Sequence, residues 1–226
     1  MKRAEQTSES IELGILLALS GGFMDAYSYI ERGQVFANAQ TGNILLFGVN
    51  LSEGNLTAAV KYLTPVIAFA LGIALADLVR QRDAGMKWHW RQFSVLLEAL
   101  ILVAVSFIPL THNLIANSLT SFACGIQVQS FRKIHGSGIA TTMCIGNLRS
   151  GTQNLVAYTK TRDRNQLENA GLYFGVIFCF AVGAVFGNLF IGFFGIRAIL
   201  VSALLLLTGF QIMFIDRERK KNELRK

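Results

Sequence analysis

Six stretches of the chain, at about 11–31, 58–80, 92–110, 113–131, 167–192 and 196–215, are long and apolar enough to be read as helices that cross a bilayer. A hydrocarbon core about 30 Å thick needs about 20 helical residues, so six such runs leave few soluble folds open. The composition agrees. Charged residues make up 15% of the chain, against roughly 25% in an ordinary soluble domain. Hydrophobic residues make up 52%, and the mean hydropathy is +0.44 with only two prolines, which excludes disorder and collagen-like sequence. The expected class is an all-α integral membrane protein.

Cys124, Cys144 and Cys179 sit in apolar surroundings with no CxxC or Cys/His spacing, so they read as packing residues. Neither a disulfide framework nor a zinc site is expected, and no cofactor is. At the N-terminus Lys2 and Arg3 precede Glu5, Glu9 and Glu12. The apolar run Leu13–Leu19 is short, and Asp25 follows without a small-x-small site, so Met1 onward is read as mature chain rather than a signal peptide.

Two segments are intermediate in character: 36–51 (FANAQTGNILLFGVNL) and 138–158 (GIATTMCIGNLRSGTQNLVAY). Lys and Arg positions decide whether they cross. If neither does and both termini are cytoplasmic, 17 basic residues lie inside and three (Arg32, Lys61, Arg197) outside, with Arg149 within its segment. If both cross, the count becomes 12 against eight. The positive-inside rule favours six spans plus two re-entrant segments. Broken backbone at membrane depth is tolerated only inside protein or along a wet cavity, so both segments point to a polar interior site.

The chain also repeats itself. Phe69–Leu78 (FALGIALADL) matches Phe180–Leu189 (FAVGAVFGNL), and Leu96–Val103 (LLEALILV) matches Leu200–Leu207 (LVSALLLL), which sets Glu98 opposite Ser202. Thr41-Gly42-Asn43 matches Ile145-Gly146-Asn147, Gly48 matches Gly151, and Asn50-Leu51 matches Asn154-Leu155. Each half (1–110 and 111–215) then holds three spans and one re-entrant segment, followed by a basic cytoplasmic tail at 216–226. Three is odd, so the second half is expected to be inverted relative to the first, an arrangement whose broken helices meet near the midplane.

The run Gly21-Gly22-Phe23-Met24-Asp25-Ala26-Tyr27-Ser28-Tyr29, the run Phe36-Ala37-Asn38-Ala39-Gln40-Thr41-Gly42-Asn43, and Gly146-Asn147 with Gly151 and Asn154 resemble the YoaK-type family of bacterial membrane proteins. The resemblance covers essentially the full chain. It implies a polytopic bacterial membrane protein of uncharacterised function, for which transport is often presumed, and it carries over no catalytic residues.

Asp25, Asp77 and Glu98 fall within predicted spans, where an unpaired carboxylate costs several kcal/mol. Asp25, with Ser28 one turn on, reads as a protonatable or cation-binding group or as a structural hydrogen-bonding one. Asp77, three residues before Arg80, reads as interfacial, and Glu98 lies deeper. Asn38, Thr41, Asn43 and Asn147 fall where each chain turns into a short helix, and they would line a cavity or cap exposed amides. Gly183 and Gly187 form a small-xxx-small packing pair. Gln127, Gln129 and Ser130 add polar groups on the fourth span, either at the site or as interhelical glue. Arg149 would neutralise Asp25 or Glu98, bind an anionic solute, or snorkel to the surface.

The tail DRERKKNELRK reads as a topology anchor rather than a nucleic-acid site. His135-Gly136-Ser137-Gly138 resembles a serine motif only superficially. His89, His112 and His135 all fall in predicted loops, and an enzyme is not expected. The leading expectation is a secondary transporter of a small solute or ion, since no GxxxxGK[ST] occurs. A channel or facilitator and a non-transporting scaffold or regulatory subunit are the alternatives. The expected partners are the lipid bilayer, the unidentified solute and a second copy of the chain. A reporter fused after Lys226 tests the topology: green fluorescent protein should fluoresce there, and alkaline phosphatase should be inactive.

Overall fold

A computed structural model of the chain describes residues 10–82, 90–132 and 138–223, with side chains up to residue 213. The described residues form eight α-helices and no strand: α1 (Ile11–Ile30), α2 (Gln40–Ser52), α3 (Leu56–Gln81), α4 (Trp90–Val105), α5 (Asn113–Ser130), α6 (Cys144–Thr161), α7 (Arg164–Phe194) and α8 (Ile199–Glu223). The helix starts follow local chemistry. Ser10 Oγ accepts from Leu13 N, Asn55 Oδ1 from Ala58 N and Asp163 Oδ1 from Asn165 N, each satisfying an amide that the first turn leaves without a partner. Of the residues singled out above, His89 and His135-Gly136-Ser137 lie outside the described residues, as do the side chains of the basic tail. The backbone of 216–223 continues α8 without a break.

The all-helical expectation holds. Length and hydropathy single out Ile11–Ile30, Leu56–Gln81 and the stretch Arg164–Met213, which contains α7 and the first part of α8, as apolar enough to cross a membrane. The two middle helices, α4 and α5, stand where spans are expected at 92–110 and 113–131 but are not among those singled out. α4 has 16 residues, roughly 24 Å at 1.5 Å per residue, and α5 carries Asn117, Thr120, Ser121, Gln127, Gln129 and Ser130 within 18 residues. The physical reason is position. α1, α4, α5 and α8 supply most of the central core, including Leu17, Met24, Leu102, Cys124 and Leu206, so α4 and α5 present more surface to protein than to lipid.

α3 packs on α5 and α7 on α1; α2 packs on α3 and α6 on α7; α4 meets α5 as α8 meets α1; and α4 meets α8 at the centre. Exchanging the first four helices for the last four leaves this pattern unchanged. The buried residues of α3 are Ala59, Tyr62, Pro65, Gly72 and Ala76, and those of α7 are Ala170, Tyr173, Val176, Gly183 and Gly187, each pair at one constant separation along the chain. The remaining faces are apolar and exposed, with Leu71 and Leu78 on α3 and Phe178 and Val185 on α7, as suits a surface solvated by lipid.

Glycine sets how closely these helices approach. A Cβ at Gly72 would overlap the Phe122 carbonyl, and one at Gly125 the Phe69 carbonyl, across the α3–α5 crossing. Across the α1–α7 crossing, Gly22 stands in the same relation to Phe180 and Gly183 to Leu19. Without apolar attraction between helices in lipid, such backbone contact is a main source of association.

Arg32 lies in the turn that follows α1. It is fully buried, and its guanidinium donates to Tyr27 Oη (2.8 Å), Ile108 O (2.8 Å), Asn113 Oδ1 (3.2 Å) and Val105 O (3.1 Å). The carbonyls following the last turn of α4 carry the negative end of its dipole, which offsets a buried cation.

Gly72→Ala, Gly125→Ala, Gly22→Ala and Gly183→Ala should each destabilise the protein by about 1–3 kcal/mol through overpacking. Gly48→Ala and Gly175→Ala, where a Cβ meets nothing within 4 Å, should leave it as stable or slightly more so. Thermal denaturation in detergent checks the contrast.

Candidate functional site

The polar groups of the interior gather where two non-helical stretches, 36–39 and 140–143, lead into α2 and α6. A buried stretch of this kind must have its backbone groups satisfied by something other than a helix. In the first stretch Asn43 does much of this. Its Oδ1 accepts from Phe36 N at 3.0 Å, and its Nδ2 donates to Phe36 O and Gln40 Oε1, both at 2.8 Å. Gln40 Nε2 donates to Ala37 O (2.7 Å) and Ser121 Oγ (3.3 Å). In the second stretch Asn147 Nδ2 donates to Ala140 O at 2.6 Å, the same seven-residue reach back.

Asp25 closes the first stretch from the side of α1. Its Oδ1 accepts from Asn38 N at 2.7 Å, and the amides of Ala37 and Ala39 face the same carboxylate. A carboxylate set against successive amides just before a helix complements the positive end of α2. Cys144, the first residue of α6, also lies within electrostatic range of Asp25, so both short helices begin near this one group. Asn38 Nδ2 donates to Gly21 O (3.1 Å), and Thr142 Cγ2 lies against Gly21, so the two stretches meet the same turn of α1. Gln127 Nε2 donates to Leu17 O and Thr141 Oγ1, both at 3.2 Å.

Glu98 is held differently. It is fully buried on α4, and neither carboxyl oxygen has a hydrogen-bond partner among the described residues. Cys124 links it to the rest: its thiol donates to Met24 Sδ (3.7 Å), contacts the Asn38 side chain, and lies within electrostatic range of both Glu98 and Asp25. Asn38 Oδ1, Gln127 Oε1, Ser28 Oγ and Thr142 Oγ1 are also buried without partners among the described residues. The amide nitrogens of Asn38 and Gln127 are already engaged, so what these two side chains leave open are acceptors.

Of the residues read from sequence, Asp25, Ser28, Asn38, Asn43, Glu98, Gln127 and Asn147 are therefore interior. Three are not. Thr41 is exposed on α2, two residues and so more than half a turn round from Asn43, and Arg149 is exposed on α6 with no ion pair among the described residues, so it neutralises neither carboxylate. Gln129 turns to the other side of α5, where its Nε2 donates to Asp77 Oδ1 at 2.7 Å; Asp77 also pairs with Arg80 at 2.7 Å. Sequence reasoning passed over Ser20 and Ser202, whose hydroxyls meet at 2.6 Å between α1 and α8, as well as Asn117, Thr141 and Thr142. The alignment of Glu98 with Ser202 was the signal available for the serine pair.

Apolar helices around a polar interior define the class as an integral membrane protein. A family model described as a protein of unknown function (DUF1275) matches residues 13–212, and the chain belongs to that family. It is 29% identical over 180 residues to the UPF0700 transmembrane protein YoaK of Bacillus subtilis (strain 168), covering 75% of this chain and 79% of that protein. No solved structure matches the chain.

Asn43→Ala leaves the Phe36 carbonyl and amide short of a partner and should cost about 1–3 kcal/mol. Asn50→Ala removes only a bond to a carbonyl within its own helix and should cost under about 1 kcal/mol. Denaturation midpoints of the two variants test the difference.

Proposed function

We propose that the protein is a secondary transporter of a small cation or of a solute coupled to protons, acting in the bacterial cytoplasmic membrane with both termini in the cytoplasm. The observation that carries this reading is the Glu98 carboxyl, fully buried with neither oxygen hydrogen-bonded among the described residues. An ionised carboxylate there costs several kcal/mol unless something positive arrives, so the group has to carry a proton or meet a cation. Arg32 is the one buried cation among the described residues, and its donors are already engaged. The Asn38 and Gln127 oxygens left open are acceptors, while the Ser28 and Thr142 hydroxyls can donate or accept.

Asp25 and Glu98 divide the work. Asp25, bound by the amides before α2, holds the broken segment in place, and Glu98 is the exchanging group. Two inverted repeats, each of three spans and a re-entrant helix, would give the site access to either side in turn. The exchange-invariant helix pairing, the shared buried positions of α3 and α7, and the equivalent glycine crossings support that duplication.

Reconstituted in proteoliposomes, the wild type should show saturable flux of protons or of a small cation from a panel of ions and metabolites. Glu98→Gln should fold normally and lose gradient-driven flux at least tenfold. Asp25→Asn should instead lower the denaturation temperature. Well-folded protein with no flux across the panel would favour the scaffold reading.

A further inference from the structure

A second polar feature lies at the end of the bundle where α1 and α4 finish and α3 and α5 begin. Arg32, buried in the turn after α1, donates to Tyr27 Oη, Asn113 Oδ1 and the Val105 and Ile108 carbonyls, all of them neutral acceptors. No carboxylate pairs with it among the described residues, so its charge is hydrogen-bonded but not cancelled. The next residue, Gly33, has a φ of +84° and no side chain. A Cβ there would lie 3.7 Å from Lys61 Nζ and 3.8 Å from Asn113 Nδ2, so both nitrogens border the space that the glycine leaves open. Asn113 turns its oxygen to Arg32, and its amide nitrogen has no acceptor among the described residues. The Lys61 ammonium lies 5.1 Å from the centre of the Tyr62 ring and forms no ion pair among the described residues. Glu31, the acid next to Arg32 in sequence, is turned to the far side of the turn, where its Oε1 lies 3.6 Å from the Cβ position of Gly195.

Beside these donors is a cavity of about 480 Å³ lined by Leu56, Thr57, Val60, Lys61 and Leu114. Leu56 and Val60 begin a stripe of exposed apolar side chains on α3 that continues through Ile67, Leu71 and Leu78. With 3.6 residues per turn, these five positions stay within about 60° of one another around the helix. From Leu56 to Ile67 the helix rises about 16 Å, close to one leaflet of a hydrocarbon core about 30 Å thick. A positive pole therefore sits at the head of an apolar track that faces lipid. A soluble anion would use the donors and leave the track unused, whereas a phospholipid matches both, with an oxyanion for the donors and a chain for the stripe.

We propose that this cavity holds an anionic phospholipid, with its phosphate against Lys61 Nζ and Asn113 Nδ2 and one acyl chain along Leu56, Val60 and Ile67. Arg32 acts as a positioning residue: it fixes the Asn113 oxygen, which leaves the amide nitrogen for the phosphate, and it adds an uncancelled positive charge nearby. Gly33 keeps the space between the two donors clear. Two positive charges favour a lipid of net negative charge over a zwitterion, whose own cation opposes them. None of these residues is assigned to solute or ion exchange, so the site does not depend on the transport reading.

Full-length protein in neutral detergent would be titrated with dioctanoyl phosphatidylglycerol and dioctanoyl phosphatidylcholine, with retention read by native mass spectrometry, and with inorganic phosphate, read by calorimetry. Wild type should retain phosphatidylglycerol saturably and at least about fivefold more tightly than phosphatidylcholine. Lys61→Gln should weaken that retention about tenfold, the effect of losing one charge-assisted contact. Lys61→Arg, which keeps the charge, should restore most of it, and both variants should keep the ligand-free denaturation temperature, because Lys61 makes no ion pair to lose. Lys160→Gln, the same charge change at an exposed position on α6, should leave retention unaltered. Equal retention of the two lipids, retention indifferent to Lys61→Gln, or equal weakening by Lys160→Gln would overturn the proposal. Saturable binding of phosphate without retention of phosphatidylglycerol would also overturn it, in favour of a soluble anion.

Discussion

Every backbone amide and carbonyl buried away from water needs a partner within the protein, and this chain breaks its helical pattern twice among buried residues. The stretches 36–39 and 140–143 exist only because side chains from elsewhere supply what a helix would have supplied internally. Asn43 and Asn147 reach back seven residues to Phe36 and Ala140, Asp25 takes the amides ahead of α2, and Gln127 reaches Thr141. Much of the polar interior follows from meeting this requirement. Glu98 stands outside that set, since nothing among the described residues uses its oxygens.

A polar interior weakens the apolar packing that would hold helices together, and the glycine crossings offset this. At Gly72 and Gly125 on one side, and at Gly22 and Gly183 on the other, backbone lies directly on backbone, which fixes α3 to α5 and α1 to α7. The glycine in each case works by lacking a side chain at the point of contact. α4 and α8, held between those pairs, can then carry Glu98 and Ser202 at the centre without having to supply a full lipid-facing surface.

The outline of the site was legible in the chain because polar residues are rare in it and recur. Asn43 and Asn147 stood out by appearing at matching positions in both halves, and both proved to do the same job. Asp25 and Glu98 stood out equally as carboxylates within apolar runs, yet their environments differ: one accepts from backbone amides, and the other has no hydrogen-bond partner among the described residues. Thr41 shows the limit of a motif, since two residues from Asn43 the helix has turned it outward. The burial of Arg32 was not legible, because a lone arginine after an apolar run reads as an exposed loop residue. Only the arrival of Val105 and Ile108 carbonyls from another helix makes its burial tolerable.

The amino-acid sequence by itself determined the helical membrane class, the polar interruptions and the correspondence between halves. These depend on residue type and spacing along one chain, which hydropathy and repetition record directly. Tertiary structure decided which carboxylate is satisfied and which is open, that Arg149 stays outside, and that Arg32, Lys61 and Asn113 come together around Gly33. Those outcomes depend on groups from helices far apart in sequence meeting across a crossing whose distance is set by glycine, and no local pattern encodes that meeting.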